Sequence, residues 1–245
     1  MPGLLGLMSW TLTENRVNHA PVSRLSILGD RGLSQGIPKE FWNDRFSADG
    51  YAYGTRPSRL LMAWAPELSK DDIQTALVPA SGEGRDAVYL ASLGLEVTAV
   101  DISSSGLEKT AQLAEQHGVS LSMVEADLFD WDWPVETFDV VAGMFAHMPS
   151  KVRRDFHAHW TNALKPGGRV LIEGFTKEQI DYQAKYQSGG PPDVDMLYAR
   201  DDIRADFSDL TELSMMVGTE VLEEGPFHTG PAALLRAVYQ KPKTG

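Results

Sequence analysis

Short apolar runs and apolar stripes at helical spacing alternate along the middle of the chain. Residues 76–78 form an apolar run typical of a strand buried on both faces, which Pro79 and Gly82 end. Residues 85–93 carry an apolar stripe at helical spacing, and residues 96–100 return to strand-like alternation. The order strand, turn, helix and strand predicts a doubly wound α/β sheet.

The elements that follow continue this alternation. The most regular helix pattern spans residues 149–164, where Val152, Phe156, Trp160 and Leu164 recur every four positions. We also expect a helix at residues 105–117, two short helices within residues 38–64, and a third strand at residues 123–128.

The turn after the first strand carries the candidate chemistry. Gly82 and Gly84 let backbone N–H groups approach a ligand at a helix N-terminus. Asp101 lies about 20 residues further on, where a carboxylate accepts both hydroxyls of a ribose. With Ala87, the glycines also satisfy the dinucleotide pattern GxGxxG/A, so a nicotinamide cofactor is one alternative.

Two acidic residues favour S-adenosylmethionine over a dinucleotide. Glu83 lies within the turn, where a carboxylate repels a pyrophosphate but attracts an ammonium and a sulfonium. Asp127 ends the predicted third strand, at a place suited to the amino group of adenine. We therefore predict an S-adenosylmethionine site and keep an NAD(P)-dependent oxidoreductase as the alternative.

From Phe41 onwards the chain resembles class I S-adenosylmethionine-dependent methyltransferases of the small-molecule type, which include thiopurine and tellurite methyltransferases. The matching segments are residues 41–46 with Tyr51, Tyr53, Gly54 and Pro57; residues 77–103; residues 138–141 with 147–149 and Arg153; and the Lys-Pro-Gly-Gly turn at 165–168 with the strand 169–173. The resemblance implies a seven-stranded Rossmann-like sheet with an antiparallel last strand, and the tail is expected to add an antiparallel pair of strands at residues 213–223 and 232–240. It also implies in-line methyl transfer to a thiol, a thiopurine, tellurite or selenite, or a phenol, which leaves S-adenosylhomocysteine.

Two positions depart from the family pattern. Val78 stands where many members have an acidic residue, and Ala80 stands where they have a glycine. Val78 removes a carboxylate that often supports the methionine end of the cofactor. A noncatalytic module that binds S-adenosylmethionine is therefore a further alternative.

The resemblance also implies the site residues. The expected cofactor contacts are Trp42, Arg45, Tyr53, Ala80, Ser81, Gly82, Gly84, Asp101, Ile102, Asp127, Leu128 and Met144. Arg45 is expected to meet the cofactor carboxylate. His147 follows the fourth strand and His228 lies between the last two strands, so both are candidate catalytic residues; a helix cap and an ordinary loop side chain are the alternative interpretations.

No metal site is expected. His157 and His159 resemble a ligand pair, but residues two apart on a helix point to different sides. His159 shares a helix face with Phe156 and Trp160, which predicts a core histidine. Residues 182–192 hold two tyrosines, two glycines and two prolines, and are interpreted either as a substrate lid or as a plain surface loop.

The composition and net charge of the chain limit the kinds of fold and binding partner that are expected. With 245 residues, 42% of them hydrophobic, the chain can bury one core, and we expect a domain at 38–245 after a flexible or capping extension at 1–37. The net charge of -12 repels phosphate backbones and anionic membranes, which favours a small-molecule acceptor over nucleic acid or membrane.

The absence of cysteine excludes disulfides, thiolate catalysis and zinc–cysteine sites. Without a targeting signal or membrane span in the sequence, we expect a cytoplasmic monomer or weak homodimer.

Overall fold

The computed structural model describes residues 37–70 and 72–243. Two helices precede the sheet, α1 (Lys39–Phe46) and α2 (Arg59–Leu68), which confirms the two short helices predicted there. The extension predicted at residues 1–37 lies almost wholly outside the described residues, so the division into extension and domain stays a prediction.

Strands and helices then follow, and the first five of these elements alternate as the sequence predicts. They are β1 (Thr75–Pro79), α3 (Arg85–Ser92), β2 (Glu96–Asp101), α4 (Ser104–His117), β3 (Ser122–Glu125), β4 (Phe138–Met144), α5 (Ser150–Ala163), β5 (Leu164–Phe175), α6 (Gln179–Tyr186), α7 (Arg200–Asp206), β6 (Thr211–Glu223) and β7 (Thr229–Gln240). The third strand is shorter than predicted: it ends at Glu125, because the chain turns at Asp127, whose carbonyl accepts from the N–H of Asp130 (3.0 Å).

The seven strands form one sheet in the order β3-β2-β1-β4-β5-β7-β6. The first five strands pair in parallel, and β7 pairs antiparallel with both β5 and β6. This confirms the predicted doubly wound sheet with an antiparallel last strand. The strand order reverses beside β1, and in such sheets ligands bind outside the carboxyl ends of the strands at this switch point.

The central strands of the sheet are buried on both faces, whereas the outer strands β3 and β6 are largely exposed. In β1, Ala76, Leu77 and Val78 are at most 2% exposed, as their apolar run predicts. Phe156 and Trp160 of α5 lie in the core beside the sheet, which confirms the face predicted for them. In the described part of the chain, no helix has the length and apolar character that a membrane crossing requires.

The other side of α5 differs from the prediction. His157 is fully buried, and its Nδ1 donates to the carboxylate of Asp206 in α7 at 2.9 Å. His159 is exposed, and its ring stacks on Trp133. The prediction that His159 is a core histidine is wrong, because α7 packs on the His157 side of α5 and supplies the carboxylate that satisfies that ring.

Candidate active site

The glycine turn joins β1 to α3 at the switch point. Ala80, Gly82 and Gly84 have positive φ angles of 52°, 56° and 85°. The N–H of Gly82 donates to Oδ2 of Asp101 (2.7 Å), and the N–H of Gly84 donates to the carbonyl of Ser81 (3.0 Å). The N–H groups of these two glycines are therefore used within the turn, and the predicted cofactor contacts at Gly82 and Gly84 stay predictions.

Asp101 is the group that organises this turn. Its carboxyl is buried at the end of β2, and its other oxygen, Oδ1, accepts from the N–H of Ser103 (2.8 Å). Burial raises the pKa of Asp101, and the bonds from Ser103, Gly82 and Ile102 oppose that rise. A carboxylate has about four lone-pair sites, so the backbone bonds do not use all of them. Asp101 can therefore hold the turn and still accept from a ribose hydroxyl.

Other features of this edge fit a nucleoside cofactor. Oγ of Ser81 is buried and has no hydrogen-bond partner among the described residues, so it is a free polar group in the turn. Ile102 is half-buried and Leu128 is buried, which provides apolar surface. Asp127 is exposed, and only its Oδ1 accepts a bond within the described residues, from the N–H of Phe129 (3.0 Å). The free hydroxyl, the apolar side chains and the exposed carboxylate suit a ligand that carries hydroxyls and a base with an amino group.

Helix α1 covers the glycine turn. The ring of Trp42 stacks on Phe46, and the tip of the Phe46 ring lies 3.3 Å from where a Cβ on Gly82 would stand. Nη1 of Arg45 donates to the hydroxyl of Tyr53 (2.9 Å). The segment from α1 to Tyr53 therefore forms one wall beside the turn. Contact between Arg45 and a cofactor carboxylate stays a prediction.

Glu83 has a different role from the one its place in the turn suggests. Its carboxylate is buried and forms an ion pair with Lys109 of α4 at 2.8 Å. Its other oxygen accepts a long bond from the N–H of Tyr53 (3.4 Å). The argument that Glu83 repels a pyrophosphate loses its force, because the neighbouring ammonium balances the charge. Glu83 instead ties the Tyr53 segment to α4.

His147 does not have a free ring nitrogen. Nδ1 donates to the carbonyl of Met196 (2.9 Å), and Nε2 accepts from the N–H of Phe175 (3.0 Å). Burial lowers the pKa of His147 to about 3, so the ring is neutral. The prediction of His147 as a base is corrected here, since both nitrogens are committed to the backbone. The alternative interpretation, that His147 caps α5, is also wrong. The His147 side chain forms hydrogen bonds with β5 and the turn before α7, not with the start of α5.

His228 lies in the loop between β6 and β7, as predicted. Its Nδ1 donates to Oε2 of Glu224 (3.4 Å), which leaves Nε2 as the acceptor nitrogen of the neutral ring. Burial lowers the pKa of His228, and the bond to Glu224 opposes that effect. Tyr53 lies beside the ring at 4.5 Å between centroids. The structure thus brings His228 to the wall that Arg45 and Tyr53 form.

Aromatic rings complete this wall at the carboxyl ends of β4 and β5. The Phe145 ring lies 4.4 Å from the His228 ring and 4.9 Å from the Phe175 ring. Phe145 has a φ of 58°, a left-handed conformation that is strained for a bulky residue and turns the chain out of β4. Met144 before it is buried, and its sulfur accepts from the hydroxyl of Ser58 (3.3 Å).

The segment after α6 packs directly against the His228 loop. A Cβ on Gly189 would lie 2.0 Å from the carbonyl oxygen of Phe227, so only glycine fits there. The buried side chain of Gln179 donates to the carbonyl of Gly189 (2.9 Å) and accepts from the N–H of Ala233 (2.8 Å). Gly189 is therefore packed and hydrogen-bonded against its neighbours, and the choice between a substrate lid and a plain surface loop for residues 182–192 stays a prediction.

A group of buried charges was not predicted from the sequence. Nη1 of Arg85 donates to Glu224 (2.9 Å) and to the carbonyl of Tyr53 (3.1 Å), and its Nε donates to Asp86 (3.1 Å). The only local signal was an Arg-Asp pair at the start of an otherwise apolar helix stripe. Within residues 37–70 and 72–243, no cluster of His, Asp and Glu is arranged to hold a metal ion.

Replacing Ala80 with glycine is expected to leave the free energy of unfolding unchanged or raise it. A non-glycine residue in the left-handed region costs roughly 1–2 kcal/mol, which offsets the greater unfolded-state freedom of glycine. Urea unfolding measures the difference. Ala87→Gly, in α3, is the matched control and should lower stability by about 1 kcal/mol. An equal loss in both variants would contradict strain at Ala80.

The comparisons with known proteins agree with this geometry. Residues 76–168 match the family described as a methyltransferase domain. Thiopurine S-methyltransferase of Vibrio cholerae is 26% identical over 170 residues, 62% of this chain and 74% of the relative. Thiocyanate methyltransferase 1 of Brassica oleracea is 33% identical over 124 residues, 48% of this chain and 50% of the relative. The structure of the N-methyltransferase NodS from Bradyrhizobium japonicum with S-adenosylhomocysteine has a TM-score of 0.62 at 14% identity, covering 84% of this chain and 98% of NodS.

The matching domain and the methyltransferase relatives support an S-adenosylmethionine-dependent methyltransferase, and the sheet order is that of the class I fold. Within that class it resembles the thiopurine S-methyltransferases. The methyltransferase domain and relatives support S-adenosylmethionine as its cofactor over the nicotinamide alternative.

Proposed function

We propose that the enzyme methylates the sulfur atom of a small thiol, thiopurine or thiocyanate acceptor. The observation that carries this proposal is the aromatic wall formed by Phe145, Phe175 and His228, with ring centroids 4.4 to 5.1 Å apart. Sulfur is polarisable and makes favourable contacts with aromatic rings. The relatives named for thiopurine and thiocyanate support the same acceptor chemistry.

The cofactor supplies an already activated methyl group, so the protein mainly aligns the reactants and excludes water. Asp101 is assigned to the ribose hydroxyls and the aromatic wall to the exclusion of water. We assign His228 to the proton of an S–H acceptor: Nε2 takes that proton as the sulfur becomes nucleophilic, and Glu224 steadies the imidazolium that forms. Thiocyanate carries no proton and does not need this step.

An acceptor panel tests the proposal. Release of S-adenosylhomocysteine is measured with a thiol, a thiopurine, thiocyanate, tellurite or selenite, and a phenol. We expect turnover with the sulfur acceptors and little with the phenol, because a phenol has a pKa of about 10 and needs a stronger base than a buried neutral imidazole. Preference for the phenol, or for tellurite or selenite, would contradict a sulfur acceptor. Binding of S-adenosylhomocysteine without turnover of any acceptor would favour the noncatalytic alternative.

A further inference from the structure

Arg85 connects the glycine turn to His228 in the aromatic wall, through Glu224. It is the first residue of α3 and directly follows Gly84. Its side chain is 8% exposed, and that of Glu224, its partner in the β6–β7 loop, is 6% exposed. Arg85 also donates to the carbonyl of Tyr53. One buried guanidinium therefore contacts three parts of the chain that border the site.

Glu224 shares one oxygen between two donors. Its Oε2 accepts from Nη1 of Arg85 at 2.9 Å and from Nδ1 of His228 at 3.4 Å. The bond from Arg85 is the shorter, and the guanidinium is charged at every accessible pH. Arg85 thus holds the Glu224 carboxylate so that its bond from the His228 ring is long, at 3.4 Å.

We propose that Arg85 is a positioning residue that sets the proton affinity of His228 through their shared carboxylate, Glu224. The proposal rests on the assigned role of His228 in accepting the proton of a thiol. A cation close to an imidazole disfavours the imidazolium, so Arg85 keeps Nε2 of His228 unprotonated and ready at neutral pH. Arg85 is the first residue of the helix that follows the glycine turn, so the position of its guanidinium depends on the conformation of that turn.

The charges around His228 act in the direction that the proposal needs. Burial lowers its pKa, Glu224 raises it, and Arg85 and Arg45 lower it. Burial alone would raise the pKa of Glu224, but the bonds and charges of His228 and Arg85 bring it to about 2, so this carboxylate stays ionised. The titratable and charged groups that face the His228 ring are Glu224 from its own loop, Arg85 from α3, Arg45 from α1, Tyr53 from the segment after α1, and His147 from the turn after β4.

Two exchanges are expected to move the pKa of His228 in opposite directions. Arg85→Met removes the cation and leaves Glu224 to stabilise the imidazolium, so the pKa rises by about one unit. Glu224→Gln removes the anion and leaves the cation, so the pKa falls by about one unit. NMR titration of His228, assigned with His228→Asn, measures both shifts. The acidic limb of the pH profile for thiol methylation should move with them.

Controls separate this role from a structural one. Arg204→Met breaks an exposed arginine–glutamate pair with Glu212 and should leave the titration and the pH profile unchanged. Arg85→Lys keeps the charge and should show a smaller shift than Arg85→Met. If Arg85→Met does not fold, Arg85→Gln removes the same charge, keeps a hydrogen-bond donor and gives the same test.

Several outcomes would overturn the proposal. Unchanged titration of His228 in Glu224→Gln would do so, as would shifts of the same sign in Arg85→Met and Glu224→Gln. The titration does not depend on any acceptor. A wild-type enzyme inactive toward sulfur acceptors would therefore contradict the proposed function, while the titration still decides the link from Arg85 to His228.

Discussion

Asp101→Ala is expected to weaken binding of S-adenosylhomocysteine by about 100-fold or more. Each hydrogen bond from a ribose hydroxyl to this carboxylate is worth about 1.5–3 kcal/mol, and a factor of ten corresponds to about 1.4 kcal/mol. The exchange also leaves the N–H of Gly82 without its acceptor, so the turn loses the bond that fixes its shape. Both effects act in the same direction.

Isothermal titration calorimetry with S-adenosylhomocysteine measures this loss. Circular dichroism shows whether the variant remains folded, since removal of a buried carboxylate with two N–H partners also lowers stability. Glu96→Gln is the matched control, because Glu96 is an exposed acid at the opposite end of the same strand. A folded Asp101→Ala that binds as tightly as the wild type would contradict the assignment of Asp101 to the ribose.

The sequence could predict the cofactor edge because its signals are local. An apolar run before the turn, two glycines within it and an acid at the end of β2 all lie within residues 76–101. The exact use of the glycines was not predictable: a Cβ on Gly84 would lie 2.4 Å from Oγ1 of Thr110, so this glycine serves packing on α4. Composition and spacing do not show which helix packs against a turn.

The contacts of the histidines and of Arg85 were less predictable because the residues involved are distant in sequence. Arg85 and Glu224 are 139 positions apart, and nothing in either local pattern pairs them. The same limit applies to His147, whose position after β4 suggested chemistry. Only the fold shows that the carbonyl of Met196 and the N–H of Phe175 occupy both of its nitrogens.

His228→Asn is expected to reduce methylation of a thiol at pH 7 by about 100-fold or more, the usual contribution of a general base. Asparagine can still donate to Glu224, so the loop keeps its contact, but it has no basic nitrogen in the place of Nε2. Methylation of thiocyanate should be nearly unchanged, because that anion has no proton to remove. The difference between the two acceptors isolates proton transfer from binding.

The pH dependence gives a second measure of the same step. A free thiol has a pKa of about 8.5, so raising the pH supplies thiolate without help from the protein and the deficit of His228→Asn should shrink. Rates of S-adenosylhomocysteine release from pH 6 to about 9.5 follow this recovery. His117→Asn, at the exposed end of α4, is the matched control and should behave as the wild type. Equal losses with thiol and thiocyanate at all pH values would mean that His228 shapes the pocket and does not take the proton.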